Sequence, residues 1–92
     1  MTRYRPARAA WIVQAIGDSP VVYAAALAHG RPLVLADSAA LIWIALTDCT
    51  HPATASEVAE ALAAEQGFAA VAVLGDVSAF LDELVDHGLA TH

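Results

Sequence analysis

Two hydrophobic periods divide the chain. From Ala9 to Ala36, short β-branched and apolar runs are broken by Gly and Pro. The first half contains Trp11-Ile12-Val13, Val21-Val22-Tyr23 and Leu33-Val34-Leu35. Such runs bounded by turn residues predict three strands, Ala9 to Ile16, Val21 to Leu27 and Arg31 to Ala36. Gly17-Asp18-Ser19-Pro20 and His29-Gly30 supply the turns between them, since Gly permits positive φ and Pro lacks the donor a central strand needs. Pro32 lies near the start of the third run, so that strand is expected at an edge of the sheet.

From Asp37 to His87 the period becomes helical. Asp37 or Ser38 can cap a first helix running to Thr47 or Asp48. Leu41, Ile42, Ala45 and Leu46 form one face, while Trp43 and Ile44 point elsewhere. A helix apolar nearly all round is expected to be buried on more than one side. Thr54-Ala55-Ser56-Glu57 is a T-x-x-E capping box, which predicts a second helix ending at Gln66 before Gly67. Phe68 is expected to pack back on that helix end. A third helix starts between Ala70 and Asp76, with Val77, Phe80, Leu81, Leu84 and Val85 as its stripe. Gly88 stops it and Leu89 folds back on its last turn. The predicted class is α+β: a small sheet of three strands feeding three helices. Residues 1–8 are polar and carry Pro6, which predicts a flexible arm. The remainder reads as one domain over 1–92.

Composition sharpens this picture. The apolar fraction is 59%, above the ~45–50% usual in globular domains. A domain of this size cannot hide every large apolar side chain, so an exposed apolar patch is expected. Charge is lopsided: four Arg and no Lys against ten acids, for a net charge of −6. Three of the Arg fall in the first eight residues, leaving Arg31 as the only basic side chain thereafter. Nucleic-acid binding and anionic membranes both call for clustered basic residues, and are disfavoured on that ground. The longest apolar run, Ala39 to Leu46, falls far short of the ~20 residues that span a bilayer. The basic start and Ala9 to Ile16 do not form a signal peptide, because the run is short and no small-residue cleavage pattern follows. A single cysteine, Cys49, allows no intramolecular disulfide and fits a cytoplasmic protein.

Chemistry-bearing residues are sparse. His29, His51, His87 and His92 do not pair at i, i+3 or i, i+4, so no metal site is expected. Cys49 and His51 lack a third partner or oxyanion element. Asp82, Glu83 and Asp86 read as a solvated helix face, and the scattered glycines form no phosphate cradle. No cofactor or catalytic residue is assigned, and the chain is expected not to be an enzyme. What remains is the uncharged edge run Leu33-Val34-Leu35-Ala36, where an extended peptide could add a strand. Phe80 could show its ring to an adjoining groove.

The segment from about Arg31 to Leu89 resembles the PqqD-like family. The resemblance rests on a strand entering a capped helix with Ile42-Trp43 and Leu46. It continues through Ser56-Glu57-Val58-Ala59 and Leu62, then Asp76-Val77, Phe80-Leu81 and Leu84, and ends at Gly88-Leu89. It implies an α+β fold, a three-stranded antiparallel sheet followed by three helices in a winged-helix-like arrangement, and a non-catalytic recognition domain for precursor peptides of ribosomal origin. The leader segment would enter as an added antiparallel strand between the third strand and third helix, and be presented to a modifying enzyme or leader protease. The residues so implied are Arg31, Pro32, Leu33, Val34, Leu35 and Ala36 on the strand, with Val77, Phe80, Leu81 and Leu84 on the helix. Many members carry Asn near the strand-to-helix junction, where this chain has Ala36-Asp37-Ser38. The small size is similar to that of free-standing members, including those of lasso-peptide pathways. Two other readings stand beside it: a winged-helix DNA-binding regulator, which the acidity opposes, and a dimeric adaptor module.

Overall fold

The computed structural model describes residues 2–17, 19–27 and 32–92. Strands β1 (Arg3–Pro6), β2 (Ala9–Ile16), β3 (Ser19–Ala26) and β4 (Pro32–Ala36) precede helix α1 (Ser38–Asp48). Strand β5 (Ala53–Thr54), helix α2 (Ala55–Gln66), a 3-10 turn (Ala70–Ala72), helix α3 (Leu74–Asp86) and strand β6 (Ala90–Thr91) follow. The chain is α+β, with the expected three-stranded antiparallel sheet in the order β2-β3-β4 and three helices. The expected His29-Gly30 turn and Arg31 lie outside the described residues.

A second small sheet, in the order β5-β1-β6, is an addition. It corrects the expectation of a flexible arm over residues 1–8. Arg3–Pro6 is the central strand, pairing Tyr4 with Ala53 and Pro6 with Ala90. Tyr4 is buried, and its hydroxyl donates to the Asp82 carboxylate at 2.7 Å. Composition hid this strand because its partners are two-residue segments far away in the chain, at residues 53–54 and 90–91.

Local signals explain the helices. Thr54 accepts from the Glu57 amide at 3.1 Å, while the Glu57 carboxylate accepts from the Thr54 amide at 2.9 Å, which completes the capping box. These bonds, chiefly that from the Thr54 backbone, hold the Glu57 carboxyl below its ordinary pKa. Helix α3 ends in a Schellman motif: Gly88 N–H bonds Val85 C=O, and Leu89 N–H bonds Leu84 C=O at 2.8 Å. The φ of Gly88 is +76°, and Leu89 is buried as expected. At the start of α1 the expected side-chain cap is not made. Asp37 occupies the cap position with φ 55° and ψ −127°, and its carboxylate bonds no helix amide.

The core lies between the β2-β3-β4 sheet and the helices. Trp43, Leu46, Val22, Val58, Val77, Leu81, Leu84 and Leu89 are its largest fully buried side chains. Helix α1 buries residues on adjacent positions, Ile42, Trp43, Ala45 and Leu46, as its all-round apolar pattern predicts. Trp11 stands edge-on to Trp43, with ring centroids 5.8 Å apart at 88°. The opposite, outer face of the sheet has no such cover. Cross-strand register aligns Ile12, Tyr23 and Val34 in one row across the three strands. All three are exposed, Ile12 to 58% and Val34 to 63%.

Candidate peptide-binding groove

Hydrogen-bond parity decides what strand β4 offers. In an antiparallel pair, opposed residues alternate between exchanging backbone bonds and not doing so. The Leu27 amide donates to the Arg8 carbonyl at 3.0 Å, extending the β2–β3 register by one pair. The pairs Ala10–Ala25 and Ile12–Tyr23, two and four residues further on, therefore exchange bonds too. Val22, Ala24 and Ala26 are left to bond on the other side of β3, toward β4. Val22 faces Leu35 and Ala24 faces Leu33, so Leu33 and Leu35 turn their N–H and C=O groups into the sheet. Val34 and Ala36 turn theirs outward, as does the Pro32 carbonyl. Pro32 thus sits where its missing donor costs the ladder nothing. Strand β4 pairs only with β3 among the described residues, so this outward row faces no other strand.

Past Ala36, Asp37 turns the chain into α1, whose first turns line an apolar cleft of about 240 Å³. Its walls are Ser38, Ala39, Leu41 and Ile42 from α1, Leu62 from α2, Phe68 and Val73 from the connection, and Asp76, Val77 and Phe80 from α3. Asp76 is the single ionisable group among them. Phe68 is 41% exposed on this wall. An extended chain leaving the Ala36 end of β4 would meet a concave apolar surface, the kind of site that holds buried ligand side chains.

The anticipated helix residues divide. Val77 and Phe80 line the cleft. Leu81 and Leu84 are buried in the core and do not. Helical spacing placed all four on one stripe, and only the position of α1 and the sheet separates them. On β4, Leu35 is buried and Leu33 half-buried on the core face, while Pro32, Val34 and Ala36 are exposed. None of these strand residues lines the cleft itself, which begins at Ser38; Arg31 lies outside the described residues. The contributions of Leu41, Ile42, Leu62 and Val73 were missed, because their apolar spacing reads as core. Phe68 next to Gly67 was the available signal, a large ring exposed in a connection.

Cys49 carries no nucleophile chemistry here. Its thiol donates to the Ala45 carbonyl at 3.3 Å, and burial raises its pKa. The His51 ring bonds the Pro52 carbonyl instead. No group of three or more His, Cys, Asp or Glu among the described residues is arranged to hold a metal ion. Among the described residues, no helix is long and apolar enough to cross a membrane.

Strand β4 leads through Asp37 into α1, whose first turns line an apolar cleft, in a small α+β domain. The family model for coenzyme PQQ synthesis protein D (PqqD) matches residues 21–90. The chain belongs to that family, a family of recognition elements for ribosomally made precursor peptides. The match begins within β3 and takes in β4, all three helices and the start of β6. Comparison with curated proteins and with solved structures produced no match.

Proposed function

We propose that this chain binds the leader segment of a precursor peptide as an added strand on β4 and presents it to a modifying enzyme or leader protease. It performs no chemistry of its own. The observation that carries this reading is the outward pair of amide groups, those of Val34 and Ala36, on a strand with one neighbour. A guest gains main-chain hydrogen bonds there without disturbing the host ladder.

The register follows from the same parity. The guest residue opposite Val34 exchanges backbone bonds with it and shares its outer face. Guest residues opposite Leu33 and Leu35 point to the core face. In an antiparallel guest, the segment N-terminal to these passes Ala36 and reaches the cleft walled by Phe68, Val77 and Phe80. Affinity is thereby divided between main-chain bonds on β4 and apolar side chains seated in the cleft.

The test is fluorescence polarisation with the labelled leader of the pathway's own precursor. Val34→Pro removes an outward donor and is expected to weaken binding about tenfold or more, a loss of roughly one to two kcal/mol. Its stability should change by less than about 1 kcal/mol, because that N–H is not in the ladder. Unchanged affinity in a folded Val34→Pro protein refutes the register.

A further inference from the structure

The β2-β3-β4 sheet has a second edge, which the proposed leader site does not use. Strand β2 pairs only with β3 among the described residues. The parity that turns Val34 and Ala36 outward on β4 applies here too. Ala10 and Ile12 exchange bonds with β3, so Ala9, Trp11, Val13 and Ala15 turn their N–H and C=O groups away from it. The devices that ordinarily blunt an edge are missing: Ala9–Ile16 holds no charge, no Pro and no Gly. Side chains along this edge are also uncovered on both faces. Trp11 and Val13 are 39% and 47% exposed, although they share the core face with the buried Val22, Ala24 and Leu35. Strand β2 therefore overhangs the layer that covers the other two strands.

The register of this edge selects a second copy of the same chain. Two identical strands pair antiparallel about a two-fold axis, and outward residues must meet outward residues. An axis through Ile12 satisfies this over residues 9–15. Ala9 then lies opposite the partner's Ala15 and Trp11 opposite the partner's Val13, and each of these pairs exchanges main-chain bonds. Between them Ile12 meets the partner's Ile12, and Gln14 faces the partner's Ala10. No charge is opposed to another, and the aromatic–β-branched pair of Trp11 and the partner's Val13 is a favourable one. That pair forms on the core face, where both side chains lack cover. The leader has less to gain here, because the apolar cleft adjoins β4 at the opposite edge of the sheet.

We infer that two copies of this chain pair through β2, joining their sheets into one antiparallel sheet with a β4 strand at each outer edge. Residues 9–15 extend about 24 Å at the usual strand rise. Such a contact covers on the order of 400 Å² per partner, below the ~800 Å² of a stable interface. The dimer is accordingly reversible, with a micromolar or weaker Kd. Both β4 edges stay open in it, so pairing through β2 does not depend on the strand-addition reading.

Sedimentation velocity of the full chain, from micromolar to millimolar concentration, is expected to show a concentration-dependent dimer. Added salt should strengthen it, because each copy carries a net charge of −6 and screening relieves their repulsion. Val13→Pro removes an outward donor and is expected to weaken the dimer about tenfold or more. Its fold should persist, since that N–H is not in the ladder. Val13→Lys serves the same purpose should the proline variant fail to fold, with near-ultraviolet circular dichroism of the Trp11–Trp43 pair reporting the fold. Cross-linking tests the register. In a Cys49→Ser background, Ile12→Cys is expected to form an intermolecular disulfide on oxidation, because residue 12 meets itself across the axis at a Cα separation of about 4.5 Å. Val13→Cys faces the partner's Trp11 and is expected not to cross-link. A chain that stays monomeric at millimolar concentration overturns the proposal. So does an undiminished dimer in a folded Val13 variant, equal cross-linking at positions 12 and 13, or a dimer lost in Val34→Pro rather than in Val13→Pro. Leader affinity unaltered by Val34→Pro would instead strike the strand-addition reading, so the two failures are distinguishable.

Discussion

The two sheets of this protein spend their hydrogen bonds and apolar surface differently. In the β5-β1-β6 sheet, the central strand β1 is held on both sides, and its Tyr4 is buried and bonded to α3. Residues 3–4 pair with β5 and residues 5–6 with β6. In the β2-β3-β4 sheet, one face is packed on Trp43 and Leu46, the other is bare, and β4 keeps an outward row of backbone groups. The first sheet closes the domain by joining its two ends to α2 and α3. The proposed leader site lies where the fold leaves its polar backbone and apolar area unused.

The largest perturbation attacks the packing that both sheets share. Trp43→Ala should cost about 3–5 kcal/mol, most of the stability available to a domain of this size, in chemical denaturation. Trp43→Phe should cost far less, because the buried indole Nε1 has no hydrogen-bond partner among the described residues and losing it forfeits no bond.

Next come the paired proline variants, which separate the two sides of β4. Leu33→Pro removes a donor aimed at Ala24 and should destabilise the sheet by about 3 kcal/mol or more. Val34→Pro should leave the sheet nearly as stable as wild type while abolishing most leader affinity. If both variants unfold the protein equally, the parity assignment is wrong and the contrast between closed and open sheet edges fails with it.

Tyr4→Phe tests the closed sheet. Losing its bond to Asp82 should cost about 1–2 kcal/mol, with leader affinity unchanged. The bond to Asp82, and then burial, raise the Tyr4 pKa above its ordinary value near 10. The neutral phenol is therefore the folded form. Its contribution is complete below about pH 10 and declines as pH climbs through the raised value. Denaturation against pH should show an alkaline fall in wild type that Tyr4→Phe lessens.

The smallest effect concerns the cap of α2. Thr54→Ala should cost about 1 kcal/mol. Glu57, whose pKa is lowered, has the opposite sign to Tyr4. Its stabilisation is present above about pH 4.3, the unfolded carboxyl value, and is lost as pH falls through the lower folded value. Glu57→Gln should remove part of the acid-side loss and leave the alkaline side as in wild type.

The chain's local patterns specify a good deal by themselves. The change of period, the Thr54–Glu57 box and the Gly67 and Gly88 stops delimit the helices, because each acts within four or five residues. The Gly17-Asp18-Ser19-Pro20 signal and Pro32 likewise locate the β2–β3 hairpin and mark β4 as an edge, although Ser19 and Pro20, expected in the turn, are the first residues of β3. The packed structure alone decided that Arg3–Pro6 is a central strand. It also decided that Leu81 and Leu84 are core, that Val77 is buried yet borders the cleft that Phe80 lines, and that Ile12, Tyr23 and Val34 share one face. Each of these depends on partners far away in the chain, as with Tyr4 and Asp82, 78 positions apart. Periodicity says that a side chain is apolar and which neighbours share its stripe; which surface finally covers that stripe is settled only when distant elements come together.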